Sequence, residues 1–204
     1  MARGIGRRFP LAARWYGNVF VLAAMGGLCL SMVLGTCFTA GCAAWFYHPA
    51  VDPLWRGMLA QLVHFDIVHL LGNLFMLLAL WLAAGCLRMS ARMLFVLMYC
   101  VLMVSVGLHF EYTPLAWYVG LSGAMHGLFA WLLLEFIQSA PSQAGRLGAY
   151  IVFLSMALKV VAGVSPAVFS MPVAHSAHLY GFMAGIVYVL ATRAKDYLRC
   201  RMPV

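Results

Sequence analysis

Six long apolar stretches, near 18–38, 68–86, 93–110, 121–138, 148–164 and 175–192, alternate along this chain with short polar breaks. About 20 consecutive apolar residues cross the hydrocarbon core of a bilayer, so each stretch predicts one spanning helix. Together they predict an all-α membrane protein built as a single domain over 1–204, with six spans packed as a bundle. No room remains for a separate soluble catalytic domain, and any active site has to be made from the helices and their connections. Most connections are short, which predicts antiparallel neighbours. The exceptions are the break around Glu111–Tyr118, with Thr113 and Pro114, and a long first connection over 39–63. That first connection carries Trp45, Phe46, Tyr47, Trp55 and Arg56, a composition suited to the membrane interface. Pro49 and Pro53 cut it into short pieces.

Composition agrees with the pattern and adds an orientation. The chain is 65% apolar and 9% charged, with a mean hydropathy of +0.95, far from a soluble domain. Of its thirteen Lys and Arg residues, eleven lie before span one, between spans two and three, between four and five, or after span six. Short cytoplasmic loops carry such an excess, so both termini are expected in the cytoplasm. The net charge of +8 then reports topology and anionic headgroups, and a nucleic-acid partner is not expected. The arginine-rich start resembles a signal peptide, but the run from Asn18 to Phe38 has the length of a true span, and removing it would reverse the charge pattern. The six cysteines lack zinc-ligand spacing and are expected as buried free thiols; Cys37 and Cys42, near the outer end of span one, are the one pair placed to form a disulfide if that end faces an oxidising compartment. No metal or cofactor is expected.

Polar residues are costly inside a membrane, and each is a functional candidate. Spans two, four and six all begin on the non-cytoplasmic side. At those starts stand His64 and His69 with Asn73, the string Gly120-Leu121-Ser122-Gly123, and Ala177-His178 followed by Gly181 and Gly185. A serine hydroxyl needs a positioned base to become a nucleophile, and histidine suits that task. Gly123 and Gly127 share one helix face, as do Gly181 and Gly185, and small residues four apart allow helices to approach closely. Their contact would bring Ser122 to His178. His69 and Asn73 lie four apart on one face of helix two and can donate hydrogen bonds. With the free backbone N–H of Ser122 in the first turn of its helix, they make a plausible oxyanion hole. Taken alone, a G-x-S-G string or an intramembrane His is more often a structural hydrogen-bonding feature; the joint placement on three helices at one depth carries the reading.

On these residues the chain resembles the rhomboid family of intramembrane serine proteases. The family's two His five apart and Asn four later read here as His64, His69 and Asn73; its G-x-S-G as Gly120–Gly123; its A-H-x-x-G-x-x-x-G as Ala177–Gly185. The Trp-Arg pair of the first loop appears as Trp55-Arg56. The resemblance implies a six-transmembrane-helix rhomboid-like bundle with Ser122 as nucleophile, His178 as base, His69 and Asn73 as oxyanion donors, and His64 in support. It departs from the common pattern at His126, where many members carry a Tyr that stacks on the catalytic His. The phrase from Gly120 to Gly127, with the short chain, looks like the rhombosortase subgroup. That subgroup implies a bacterial inner-membrane enzyme, open toward the periplasm, that cleaves membrane-anchored proteins at a C-terminal tail of Gly-Gly, hydrophobic span and basic end. His126 is expected either to stack on His178 or to make a structural hydrogen bond.

The other polar residues have plainer expectations. His48, His109 and His175 lie near span ends, where water or headgroups satisfy them. Glu135, about 20 Å along the helix from Ser122, is too far to complete a triad. Lys159 in span five is expected to snorkel to the outer interface or to meet substrate or another helix. A non-proteolytic rhomboid-like binder of membrane segments is a rival, but such relatives lack the Ser or the His. A transporter needs a polar path through the cytoplasmic half, and apart from Glu135 that path is missing.

Overall fold

The computed structural model describes residues 11–34, 40–111, 115–163 and 174–201. They form seven α-helices: α1 (Leu11–Leu34), α2 (Leu54–Ala60), α3 (Ile67–Cys86), α4 (Ser90–His109), α5 (Ser122–Ser139), α6 (Gln143–Ala162) and α7 (His175–Arg201). No strand occurs among the described residues, and the chain is all-α as its pattern predicts. Among the described residues, three segments are long and apolar enough to cross a membrane: Ile67–Cys86, Ala91–His109 and Gln143–Ala162. The helices α1, α5 and α7 fall on the other three apolar runs. Polar side chains interrupt α5 at Ser122, His126, Glu135 and Gln138, and α7 at His175 and His178. Cys37 lies outside the described residues, and its pairing with Cys42 with it; so do Arg3, Arg7, Arg8, Thr113 and Pro114.

Local chemistry fixes where the helices start. Asp66 caps α3: its Oδ1 accepts from the His69 backbone N–H at 2.7 Å, a standard N-cap bond. The acid between the two histidines therefore starts the helix that carries His69 and Asn73. Ser142 caps α6 in the same way through Gly145 N–H, which begins that helix before the apolar run at 148. Gly163, with φ +63°, ends it in the left-handed conformation that favours glycine.

At the centre stands α5, packed against α3, α4, α6 and α7. Its Ala124, Leu128 and Trp131 are fully buried. Phe75 on α3, Phe95 on α4, and Leu154 and Val161 on α6 are largely exposed, as suits a lipid-facing surface. The tightest contact joins α5 to α7. A Cβ added at Gly127 or Gly185 would strike backbone of the facing helix, and one at Gly181 would lie 2.7 Å from the Gly123 carbonyl carbon. The two glycine faces meet as the spacing predicts.

The first connection is folded against the site. A 3-10 turn at Ala40–Trp45 leads to Tyr47, whose backbone pairs with Tyr118 through N–H to O bonds of 3.1 and 2.8 Å. Asp52 accepts from His48 N–H at 2.8 Å and pairs with Arg56 at 3.3 Å; Arg56 also donates to the Ala44 carbonyl. Pro53 then opens α2, which crosses the Tyr47 ring at Gly57. Trp45 and Trp55 are exposed, as an interfacial segment requires, whereas Phe46 and Tyr47 are buried. Tyr47 packs with Val104, Leu108 and Tyr118, and Phe46 packs separately, stacked on Trp117 at 4.9 Å.

Candidate active site

The loop entering α5 is held before the helix begins. Gly120 has φ +97°, and an added Cβ would lie 2.6 Å from His69 Nε2. Glycine is therefore required there both for the backbone and for the approach of the His69 ring. The Tyr118 hydroxyl donates to the Gly120 carbonyl at 2.8 Å, and Gly120 N–H donates to the Ala60 carbonyl at 3.1 Å. Tyr118 is buried, and burial pushes its hydroxyl well above the usual phenol range, so it stays a neutral donor. This clamp sets Ser122 at the first position of α5.

Across the glycine contact, Ser122 Oγ lies 3.0 Å from His178 Nε2, a hydrogen-bond length. His178 is 9% exposed, and Ser122 is half-buried. The His126 ring stacks on His178, with centroids 4.0 Å apart and planes 17° from parallel. His126 Nδ1 donates to the Ser122 carbonyl at 2.7 Å; a carbonyl only accepts, so the proton sits on Nδ1. Its Nε2 lies 3.3 Å from Lys159 Nζ. Both alternatives for His126 are realised together. Lys159 reaches inward to His126 instead of outward to the interface, because α6 runs antiparallel to α5 and its last turn faces the first turns of α5.

On α3, Asn73 is buried, and its Nδ2 donates to the His69 carbonyl at 2.8 Å. The amide nitrogen carries two hydrogens, so one remains. Asn73 Oδ1 and His69 Nδ1 are buried without a hydrogen-bond partner among the described residues. His64, just before α3, is fully buried, its ring 5.0 Å from that of His69. Burial, with His69 adding, pushes its pKa down to about 4, so it is neutral at physiological pH. The first turn of α5 leaves the N–H groups of Ser122 and Gly123 without intrahelical acceptors. Residues from α3, α5, α6 and α7, and from the loops that enter α3 and α5, thus gather at one end of the bundle.

The matched family is the Rhomboid domain, over residues 52–195. The chain belongs to the rhomboid family. No curated protein and no solved structure matches it. Rhomboids are intramembrane serine proteases that act on membrane proteins within the bilayer, and this rhomboid is accordingly a multi-pass membrane protein.

The remaining polar residues of this rhomboid have partners of their own. His109 Nδ1 lies 2.9 Å from the Tyr47 hydroxyl, and His48 Nδ1 donates to the Ala116 carbonyl at 2.7 Å; protein groups satisfy both where water or headgroups were the expectation. Glu135 accepts from Trp131 Nε1 at 3.2 Å and lies 3.8 Å from Arg92. Among the described residues, no group of three or more His, Cys, Asp or Glu is placed to hold a metal ion. Sequence reasoning passed over Tyr118, Gln61 and Ser105. Gln61 is fully buried and donates to the Val101 carbonyl and Ser105 Oγ at 2.9 and 3.0 Å. The available signal was a glutamine at the end of an amphipathic loop facing an otherwise apolar helix.

Proposed function

We propose that this rhomboid is a serine endopeptidase in which Ser122 is the nucleophile and His178 the general base. The observation that carries the reading is the 3.0 Å contact between Ser122 Oγ and His178 Nε2. With its proton on Nδ1, His178 takes the hydroxyl proton at Nε2 as Oγ attacks the scissile carbonyl. The oxyanion then accepts from the Ser122 N–H, His69 Nε2 and the spare Asn73 Nδ2 hydrogen, donors worth about 2.7–4 kcal/mol each in measured cases. His178 returns its proton to the leaving amine, the C–N bond breaks, and the Ser122 ester passes to water. Transfer of the ester to another amine uses the same intermediate.

The six apolar runs and the charge distribution support six spans with both termini cytoplasmic, which turns the site toward the periplasmic face of a bacterial inner membrane. The substrate class follows from His126, the feature that resembles rhombosortases: proteins anchored by a C-terminal hydrophobic tail and cut near a Gly-Gly pair. A peptide bond is exposed to attack only after its helix unwinds, and glycines lower that cost. The test is co-expression with tailed substrates. Wild type releases the tail, and Ser122→Ala and His178→Ala do not; cleavage persisting in either variant defeats the dyad. Replacing the Gly-Gly pair with bulky residues separates the subgroup from a rhomboid of broader substrate range, for which processing continues undiminished.

A further inference from the structure

The one cation of α6 outside its first turn faces the site. Leu158 and Val161 beside it are largely exposed toward lipid, whereas Lys159 is half-buried with its Nζ 3.3 Å from His126 Nε2. A lysine in this position has an alternative, since its stem is long enough to reach water near the helix end. It points instead to a ring nitrogen whose lone pair is free because Nδ1 holds the proton for the Ser122 carbonyl. An ammonium only donates, so the three groups have a single consistent arrangement: Lys159 Nζ–H to His126 Nε2, and His126 Nδ1–H to the Ser122 carbonyl.

We propose that Lys159 is a positioning residue of this site, holding His126 from below so that its ring forms a fixed platform for His178. The proposal rests on the dyad reading above. A carboxylate beside a catalytic histidine fixes its ring by hydrogen bonding; here a flat ring stacked 4.0 Å away does the orienting. A platform ring tied only at Nδ1 pivots about that bond. The second tie, at the opposite nitrogen, removes the pivot, and Lys159 supplies it from a different helix. The platform is thereby fixed by α5 and α6 together, independently of the α7 helix that carries His178.

The test uses Lys159→Met, which keeps the stem and removes the donor, alone and with His126→Phe. Lys159 is half-buried and its partner is a ring lone pair, so its loss leaves no buried charge unpaired. Lys159→Met is expected to lower kcat about tenfold or more with KM unchanged, since ~1 Å of misplacement costs up to about 10²-fold, and Lys159→Arg is expected to recover much of it. In the His126→Phe background the same change has no further effect, because the two residues act as one unit. Nitrogen NMR of the full-length protein in nanodiscs, with His126 assigned by its loss in His126→Phe, reads the contact without activity. The Nε2 signal of wild type is that of a hydrogen-bonded acceptor, and in Lys159→Met it moves to that of a free one. Unchanged kcat, additive losses in the double variant, or an unmoved Nε2 signal each overturn the proposal. Were Ser122→Ala to remain active, the dyad would fall while the NMR result still stood.

Discussion

Adding one methyl at Gly181 tests whether the glycine contact between α5 and α7 sets the distance between Ser122 and His178, the proposed nucleophile and base. A Cβ at 181 stands 2.7 Å from the Gly123 carbonyl carbon and 3.4 Å from Val104 Cγ2. Carbon atoms rest about 3.5–4.0 Å apart, so Gly181→Ala forces α7 back by ~1 Å. His178 lies one helical turn earlier on α7 and moves with it. The 3.0 Å bond to Ser122 then lengthens to ~4 Å, outside hydrogen-bond range. Proton transfer by a positioned base contributes about 10²–10⁴-fold, and kcat is expected to fall about 10²-fold with little change in KM. Overpacking of this kind costs about 1–3 kcal/mol, which thermal denaturation in detergent reads separately. The assay is cleavage of a single-span substrate in liposomes, with a fluorophosphonate probe counting reactive Ser122. Gly148→Ala is the control, since nothing lies within 4 Å of a Cβ there, and it should behave as wild type. Should Gly181→Ala turn over within about threefold of wild type while folded, the glycine contact does not set the dyad.

Three further outcomes follow from other contacts. Asn73→Ala removes the spare donor on α3 and is expected to lower kcat about 10²–10³-fold at unchanged KM; full activity excludes Asn73 from the oxyanion site. Tyr118→Phe leaves the Gly120 carbonyl without its 2.8 Å donor and should destabilise by about 1–3 kcal/mol, seen as a lower Tm; an unchanged Tm means the clamp is dispensable. For His64, the folded pKa of about 4 lies below the ordinary 6.5, so between those values the unfolded chain binds the extra proton. Its stabilisation is complete above about pH 6.5 and is lost as pH falls toward 4, by up to about 3 kcal/mol. Denaturation midpoints should therefore fall less steeply with acid in His64→Gln than in wild type; identical slopes contradict the buried neutral ring.

The parts of this site that were legible in the sequence obey helix periodicity. Gly123 with Gly127 and Gly181 with Gly185 announce faces, and faces with small residues meet; the approach of Ser122 to His178 follows. His69 and Asn73 share a face for the same reason. What periodicity does not specify is the partner of a flexible or unpaired group. The Lys159 stem allows an outward or an inward course, and the inward one wins because His126 offers a lone pair at the same height. Asn73 spends one donor on its own helix, a local bond that spacing alone does not distinguish from an outward one. The pairing of Tyr47 with Tyr118 joins two loops far apart in sequence, and no local pattern encodes a contact of that range.

The central place of α5 has a consequence for how the protein is made. Chains enter the membrane from the N-terminal end as they are synthesised, so α5 is inserted before both α6 and α7. During that interval Ser122 lacks His178, His126 lacks Lys159, and the glycine face that will receive α7 lies open to lipid. On the proposed dyad, the nascent chain cleaves nothing until α7 docks, and its neighbours in the membrane are spared an enzyme still under construction.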